Sequence, residues 1–65
     1  MKFKIIDTTD NKHEGEVIDF EGQILVGETI SYKEVSFKVD EVFWVDDSTV
    51  KLVSSNYIAV FKLVG

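Results

Sequence analysis

Apolar residues crowd the second half of this chain so densely that its strands read as buried on two faces. Between residues 35 and 64 most positions outside the turns are Val, Ile, Leu, Phe, Trp or Tyr. Val42-Phe43-Trp44-Val45 and Tyr57-Ile58-Ala59-Val60-Phe61 are continuous apolar runs. A strand with one wet face alternates, whereas a strand apolar on both sides needs cover on both. A chain of 65 residues has little left to cover a second face. Another subunit, a partner or a ligand is the natural cover.

The same patterning predicts strands over residues 2–7, 16–20, 23–26, 29–32, 35–45, 49–53 and 57–64. Phe3 and Ile5 share a face of the first, Ile18 and Phe20 a face of the second. Thr8-Thr9-Asp10-Asn11-Lys12 is a polar turn cluster, and Asp46-Asp47-Ser48 and Ser54-Ser55-Asn56 are further turns. Glu21-Gly22 reads as a tight turn, and Gly27 as a kink, bulge or turn. Lys33-Glu34 turns the fourth strand into the fifth. Strong helix formers are scarce: Ala59 is the only Ala and Met1 the only Met, and residues 28–34 are the one place where a helical turn fits. The expected fold is a single all-β domain, a small antiparallel barrel or strongly curved sheet of five to seven short strands.

The long fifth strand contains a register conflict. Strict alternation turns Phe37, Val39, Phe43 and Val45 inward but takes Glu41 with them. A β-bulge at Asp40-Glu41 instead turns Phe37, Val39, Val42 and Trp44 inward and expels Phe43 and Val45. In either register a large aromatic with a Val neighbour lies on the second face. The expected subunit interface is accordingly Phe43, Trp44, Val53, Ile58 and Val60.

Gly27-Glu28-Thr29-Ile30-Ser31-Tyr32, a two-residue turn, then Phe37-Lys38-Val39-Asp40-Glu41-Val42 resembles the hairpin of small SH3-like barrels. Asp47-Ser48-Thr49-Val50-Lys51-Leu52 is similar to the turn and strand that follow it there. The resemblance spans residues 27–53, implies a barrel-like topology and transfers no functional residue. In style, a short, acidic β-chain whose basic residues are all Lys also resembles accessory proteins of phages.

Composition narrows the function. A domain this small buries only about 60% of the surface its unfolded chain exposes, so small domains often add disulfides, metals or oligomerisation. There is no Cys, which removes disulfides and fits a reducing compartment. His13 is the only His, which leaves no zinc set, and no metal or cofactor is expected. No apolar stretch approaches the roughly 18 residues that span a bilayer, so the expectation is a soluble protein of the cytoplasm, the host's if phage-encoded, with no membrane partner.

Candidate chemistry is thin. His13 lies in the polar Asn11-Lys12-His13-Glu14-Gly15 stretch and reads as a solvated loop residue rather than a catalytic base. Gly15, Gly22 and Gly27 are isolated, so no phosphate loop is present. Asp46-Asp47-Ser48 lacks the acidic ladder of a calcium loop and reads as a surface turn. Asp10, Glu14, Glu16, Asp19 and Glu21 form a candidate acidic partner surface, against the plainer reading of a solvated face. Tyr32, Trp44 and Tyr57 are candidate stacking residues for a nucleobase, against the plainer reading of core or seam packing. Lys2, Lys4, Lys33, Lys38, Lys51 and Lys62 are spread over several strands.

The expected function is binding without catalysis. The chain is read as a homo-oligomer, in the manner of a phage accessory protein inhibiting a host factor through its acidic surface. The alternatives are an oligomeric sponge for a nucleotide-like ligand and a structural part of a larger assembly. Net charge is −5 and there is no Arg, the usual reader of phosphate and guanine, so direct nucleic-acid binding is not expected. Fluorescence anisotropy should show no binding of duplex or single-stranded DNA at physiological salt. Tight, salt-resistant binding would overturn the charge argument.

Overall fold

The computed structural model describes residues 1–21 and 24–64 and contains seven strands joined by turns. They are β1 (Lys2–Thr8), β2 (Val17–Asp19), β3 (Thr29–Tyr32), β4 (Val35–Lys38), β5 (Glu41–Trp44), β6 (Thr49–Val53) and β7 (Ile58–Val64). Five form an antiparallel sheet in the order β2-β1-β7-β6-β5, and β3 and β4 form a separate antiparallel hairpin. The chain is all-β, as its patterning predicts; residues 28–34 belong to the hairpin rather than to a helical turn.

The hairpin lies over one face of the five-stranded sheet. Phe3 and Ile5 of β1, Val50 and Leu52 of β6, and Ala59 and Phe61 of β7 are fully buried on that inner face. Ile30, Tyr32 and Phe37 of the hairpin, with Val39 beyond it, join them in the same core. Phe61 sits at the centre: its ring lies 6.2 Å from Phe3, 5.8 Å from Phe20 and 5.6 Å from Tyr32. Tilted and edge-on rings at these separations add about 0.5–1.5 kcal/mol per pair beyond area burial.

Two bulges shape the sheet. In β1, Ile5 pairs with Phe61 and Asp7 with Val60, so Ile6 is the extra residue. The bulge lets Phe3, Ile5 and Thr8 all point inward although they do not share one alternation. The second bulge settles the register of the expected fifth strand. Glu41 pairs with Val53, and Asp40 N also donates to Val53 O at 2.8 Å, so two residues face one. The inward set is therefore Phe37, Val39, Val42 and Trp44, and Phe43 and Val45 are expelled. This bulge also splits the expected strand. Val39 still bonds Gly27 and Glu28 at the hairpin, whereas Asp40 already bonds β6, so one continuous stretch serves both sheets.

Other boundaries shift. Residues 24–26 form no strand; Ile24 packs into the core, and Glu28 N bonds Leu25 O at 3.2 Å in a turn where Gly27 takes φ 92°. The expected Glu21-Gly22 turn and Gln23 lie outside the described residues. Lys33, first of the two hairpin-turn residues, takes φ 54°, the left-handed conformation such turns demand at that position.

Replacing Phe61 with Ala should remove about 3–5 kcal/mol of stability, the usual loss for a large core aromatic. Replacing Val45, 67% exposed, with Ala should change stability by less than about 0.5 kcal/mol. Urea denaturation followed by circular dichroism checks both, and equal losses would contradict the inner-face packing.

Candidate functional site

The hairpin covers one face of the five-stranded sheet and leaves the other open. Because side chains alternate along each strand, the pairing identifies who shares that outer face. Ile58, Val60, Lys62 and Val64 come from β7, and Val53, Lys51 and Thr49 face them from β6. Phe43 and Glu41 of β5 continue the rows beyond β6. On the other side lie Asp7, Lys4 and Lys2 of β1, then Val17 and Asp19 of β2.

The face has two ends of different character. At one end Ile58, Val60, Val53 and Phe43 cluster around Lys51, and Asp7, Thr8, Thr9, Lys51, Ile58 and Val60 line a shallow groove. At the other, Lys4 stands directly opposite Lys62, with Lys2 one row further. None of Lys2, Lys4, Lys51 and Lys62 has an ion-pair partner among the described residues. Like charges directly across a ladder are unfavourable. Three of the lysines that look dispersed along the chain, Lys2, Lys4 and Lys62, thus converge within one copy.

Four of the five residues expected at a subunit interface, Phe43, Val53, Ile58 and Val60, share the outer face. The fifth, Trp44, does not: it points to the other side of the sheet, at its free edge, and is half-exposed. The expected apolar second face is also less continuous than the bare sequence implies, because Lys51 and Lys62 interrupt it.

The stacking residues do not meet in a cleft. Tyr32 is buried, edge-on to Phe61 and Phe37. Tyr57 packs on Phe37 at 5.0 Å, while Trp44 stands apart on β5. Both tyrosine hydroxyls are engaged: Tyr57 donates to Asp10 Oδ1 at 3.0 Å, so its single proton is used and Tyr32 donates to it at 3.3 Å. Burial, then the bond with Tyr57, raises the Tyr32 phenol well above its ordinary range. Asp10 Oδ1 also accepts from Thr8 Oγ1 at 3.0 Å and Lys12 N at 3.2 Å. Desolvation alone would raise the Asp10 carboxyl, and these three donors together outweigh it and hold the group below the usual carboxylate value.

The expected acidic surface is likewise divided. Asp10 belongs to the tyrosine network just described, and Asp19 pairs with the N-terminal ammonium at 3.3 Å. Asp19 and Glu21 line a second groove with Glu28. Glu14 is exposed in the loop between β1 and β2. Glu16 has a different role, because His13 is not the solvated loop residue its neighbours suggest. His13 Nδ1 lies 2.7 Å from Glu16 Oε2 and Nε2 lies 3.0 Å from Glu34 Oε1, with Lys33 Nζ 3.3 Å from Glu16 Oε1. This clamp ties the β1–β2 loop to the hairpin turn. Both ring nitrogens are committed to carboxylates, and His13 takes φ 66°. Nothing in the local sequence brings Glu34 to His13, so only the fold reveals the pair. Among the described residues no group of three His, Asp or Glu is placed to hold a metal, and no helix is long and apolar enough to cross a membrane.

No protein-family model matches this chain, and neither a curated protein nor a solved structure matches it.

The hydrogen bonds to Glu16, then Glu34, raise His13 above its ordinary 6.5, and the bond to His13 lowers both glutamates below their ordinary 4.5. The raised group contributes fully below pH 6.5 and loses its contribution as pH rises through its folded value. The lowered groups contribute above pH 4.5 and lose theirs as pH falls through their folded values. The stability lost in His13→Asn, chosen because Asn tolerates the left-handed backbone, should be greatest between these limits and shrink on either side. Urea midpoints across pH measure it; a difference that does not vary with pH would remove the clamp.

Proposed function

We propose that this protein is a non-enzymatic binding protein that works as a homo-oligomer, its copies meeting at the apolar end of the outer face. The observation that carries the reading is the gathering of Phe43, Val53, Ile58 and Val60 on a sheet face that the hairpin leaves open. Apolar area withdrawn from water contributes about 25 cal/mol per Å², and a stable interface buries on the order of 1,000 Å² or more. The lysine end stays wet in this arrangement, because burying Lys4 and Lys62 unpaired would cost more than the apolar contact returns.

With that face occupied, the remaining surface presents mainly carboxylates. Glu14, Glu21, Glu28, Asp40 and Asp47 have no ion-pair partner among the described residues. A basic surface on another protein is the partner they suit, which is the sense in which an accessory protein would occupy a host factor. The sponge reading is less well supported: Tyr32 is enclosed in the core and Tyr57 is tied to Asp10.

Light scattering should give the wild type a mass of at least twice its 7.4 kDa chain at micromolar concentration. Val60→Asp should reduce it to a single chain with an unchanged circular dichroism spectrum. A wild type that already scatters as one 7.4 kDa chain would sink the assembly.

A further inference from the structure

We propose that the free edge of β5 docks an extended segment of another protein, apolar at its centre and basic at its flanks. The inference rests on the binding-protein reading and names the partner's chemistry; it does not depend on assembly through the outer face.

β5 ends the five-stranded sheet and, among the described residues, is paired to β6 alone. Its ladder closes with Val45 N donating to Thr49 O at 2.8 Å, one rung beyond the Trp44–Val50 pair. Bonded and unbonded rungs alternate in an antiparallel pair. Glu41, Phe43 and Val45 therefore turn their backbone groups towards β6, and Val42 and Trp44 turn theirs off the sheet. Among the described residues no backbone hydrogen bond reaches those outward groups. An added strand would satisfy them, and Phe43 and Trp44, on opposite faces and each 50% exposed, would flank its side chains above and below.

The two edges of the sheet present different residues. β2 is three residues long, Val17–Asp19, with Glu16 just before it and Asp19 as its last residue. Natural sheets blunt their edges with short strands and charges. β5 instead presents Phe43, Trp44 and Val45 in sequence, and its charges stand only at the ends: Asp40 and Glu41 before, Asp46 and Asp47 after.

Those ends select the occupant. In an antiparallel pairing of two β5 strands about Phe43, Asp40 of one copy would face Asp46 of the other, a like-charge contact at both ends. A segment with Lys or Arg on either side of an apolar centre meets attraction at the same two places. Asp46 is already held by Ser48, whose N and Oγ donate to it at 2.9 and 3.2 Å. Asp40, Glu41 and Asp47 have no ion-pair partner among the described residues.

The test is a fluorescence-anisotropy titration of the full chain with a labelled nine-residue peptide. Its centre alternates valine and threonine, and two lysines stand at each end; a control peptide carries glutamates there. The lysine peptide should bind at least about tenfold tighter than the control at low salt, with the preference shrinking as salt rises. Trp44→Pro removes an outward N–H and no bond to β6, and should weaken binding by about tenfold or more. Glu41→Lys with Asp47→Lys keeps the backbone edge, leaves one acid and one base at each end, and should cancel most of the preference between peptides. This holds the proposal to account even if Trp44→Pro proves unstable by circular dichroism. Val60→Asp should bind as the wild type does, which separates this edge from the outer face. Equal affinity for the two peptides, or no effect of the edge variants, would overturn the proposal. So would self-association abolished by Trp44→Pro, since the second copy would then own the edge.

Discussion

A five-stranded sheet has two faces, and this chain can spare only one short hairpin to cover them. That limit governs the molecule. The hairpin of β3 and β4 closes over the inner face, where Phe61 gathers Phe3, Phe20 and Tyr32 around itself. Every large side chain that is fully buried contributes to that one core. The outer face has no such cover, so its composition is a compromise between strand-forming apolar residues and the lysines that keep it wet. Phe43, Val53, Ile58 and Val60 collect at one end, and Lys2, Lys4 and Lys62 stand beside Val17 and Val64 at the other.

Covering even one face takes a chain that bends. Each bulge inserts a residue that lets a strand change course without turning a carboxylate into the core. At Asp40 the effect is largest: the strand leaves the hairpin and enters the large sheet within two residues. Burying Glu41 would cost several kcal/mol without a partner, whereas the bulge sends it to the surface at the expense of exposing Phe43 and Val45. The half-exposed Phe43 follows from that exchange, and the half-exposed Trp44 from its place at the free edge. The same geometry leaves β5 at the end of the sheet with its outward backbone groups unpaired.

Polar contacts then tie the loops to this frame. Asp10 collects donors from Thr8, Lys12 and Tyr57, and so links the β1–β2 loop to the start of β7 and, through Tyr57, to Tyr32 of the hairpin. His13 links the same loop to the hairpin turn through Glu16 and Glu34. Among the described residues no buried side-chain polar atom lacks a partner, as a small core requires, because one unpaired group would cost a large share of a marginal stability.

The all-β class, the strands expected at residues 2–7, 29–32, 49–53 and 57–64 and the two possible registers at Asp40-Glu41 were legible in the sequence, whereas the split of the stretch 35–45 between two sheets was not. They follow from alternation, β-branching and turn residues, which act over a few neighbours. The choice between registers was not legible, because it depends on whether Val53 accepts from one residue or from two. Nor was which of Phe43 and Trp44 joins Val53, Ile58 and Val60, since a single inserted residue reverses every side chain after it. Tyr32 and Tyr57 look alike as aromatic candidates in the chain, and only packing against Phe61 and Phe37 made them part of the interior. His13 with Glu34, and Lys4 with Lys62, are far apart in sequence. Their meeting is decided by strand order and loop path, which no local pattern encodes.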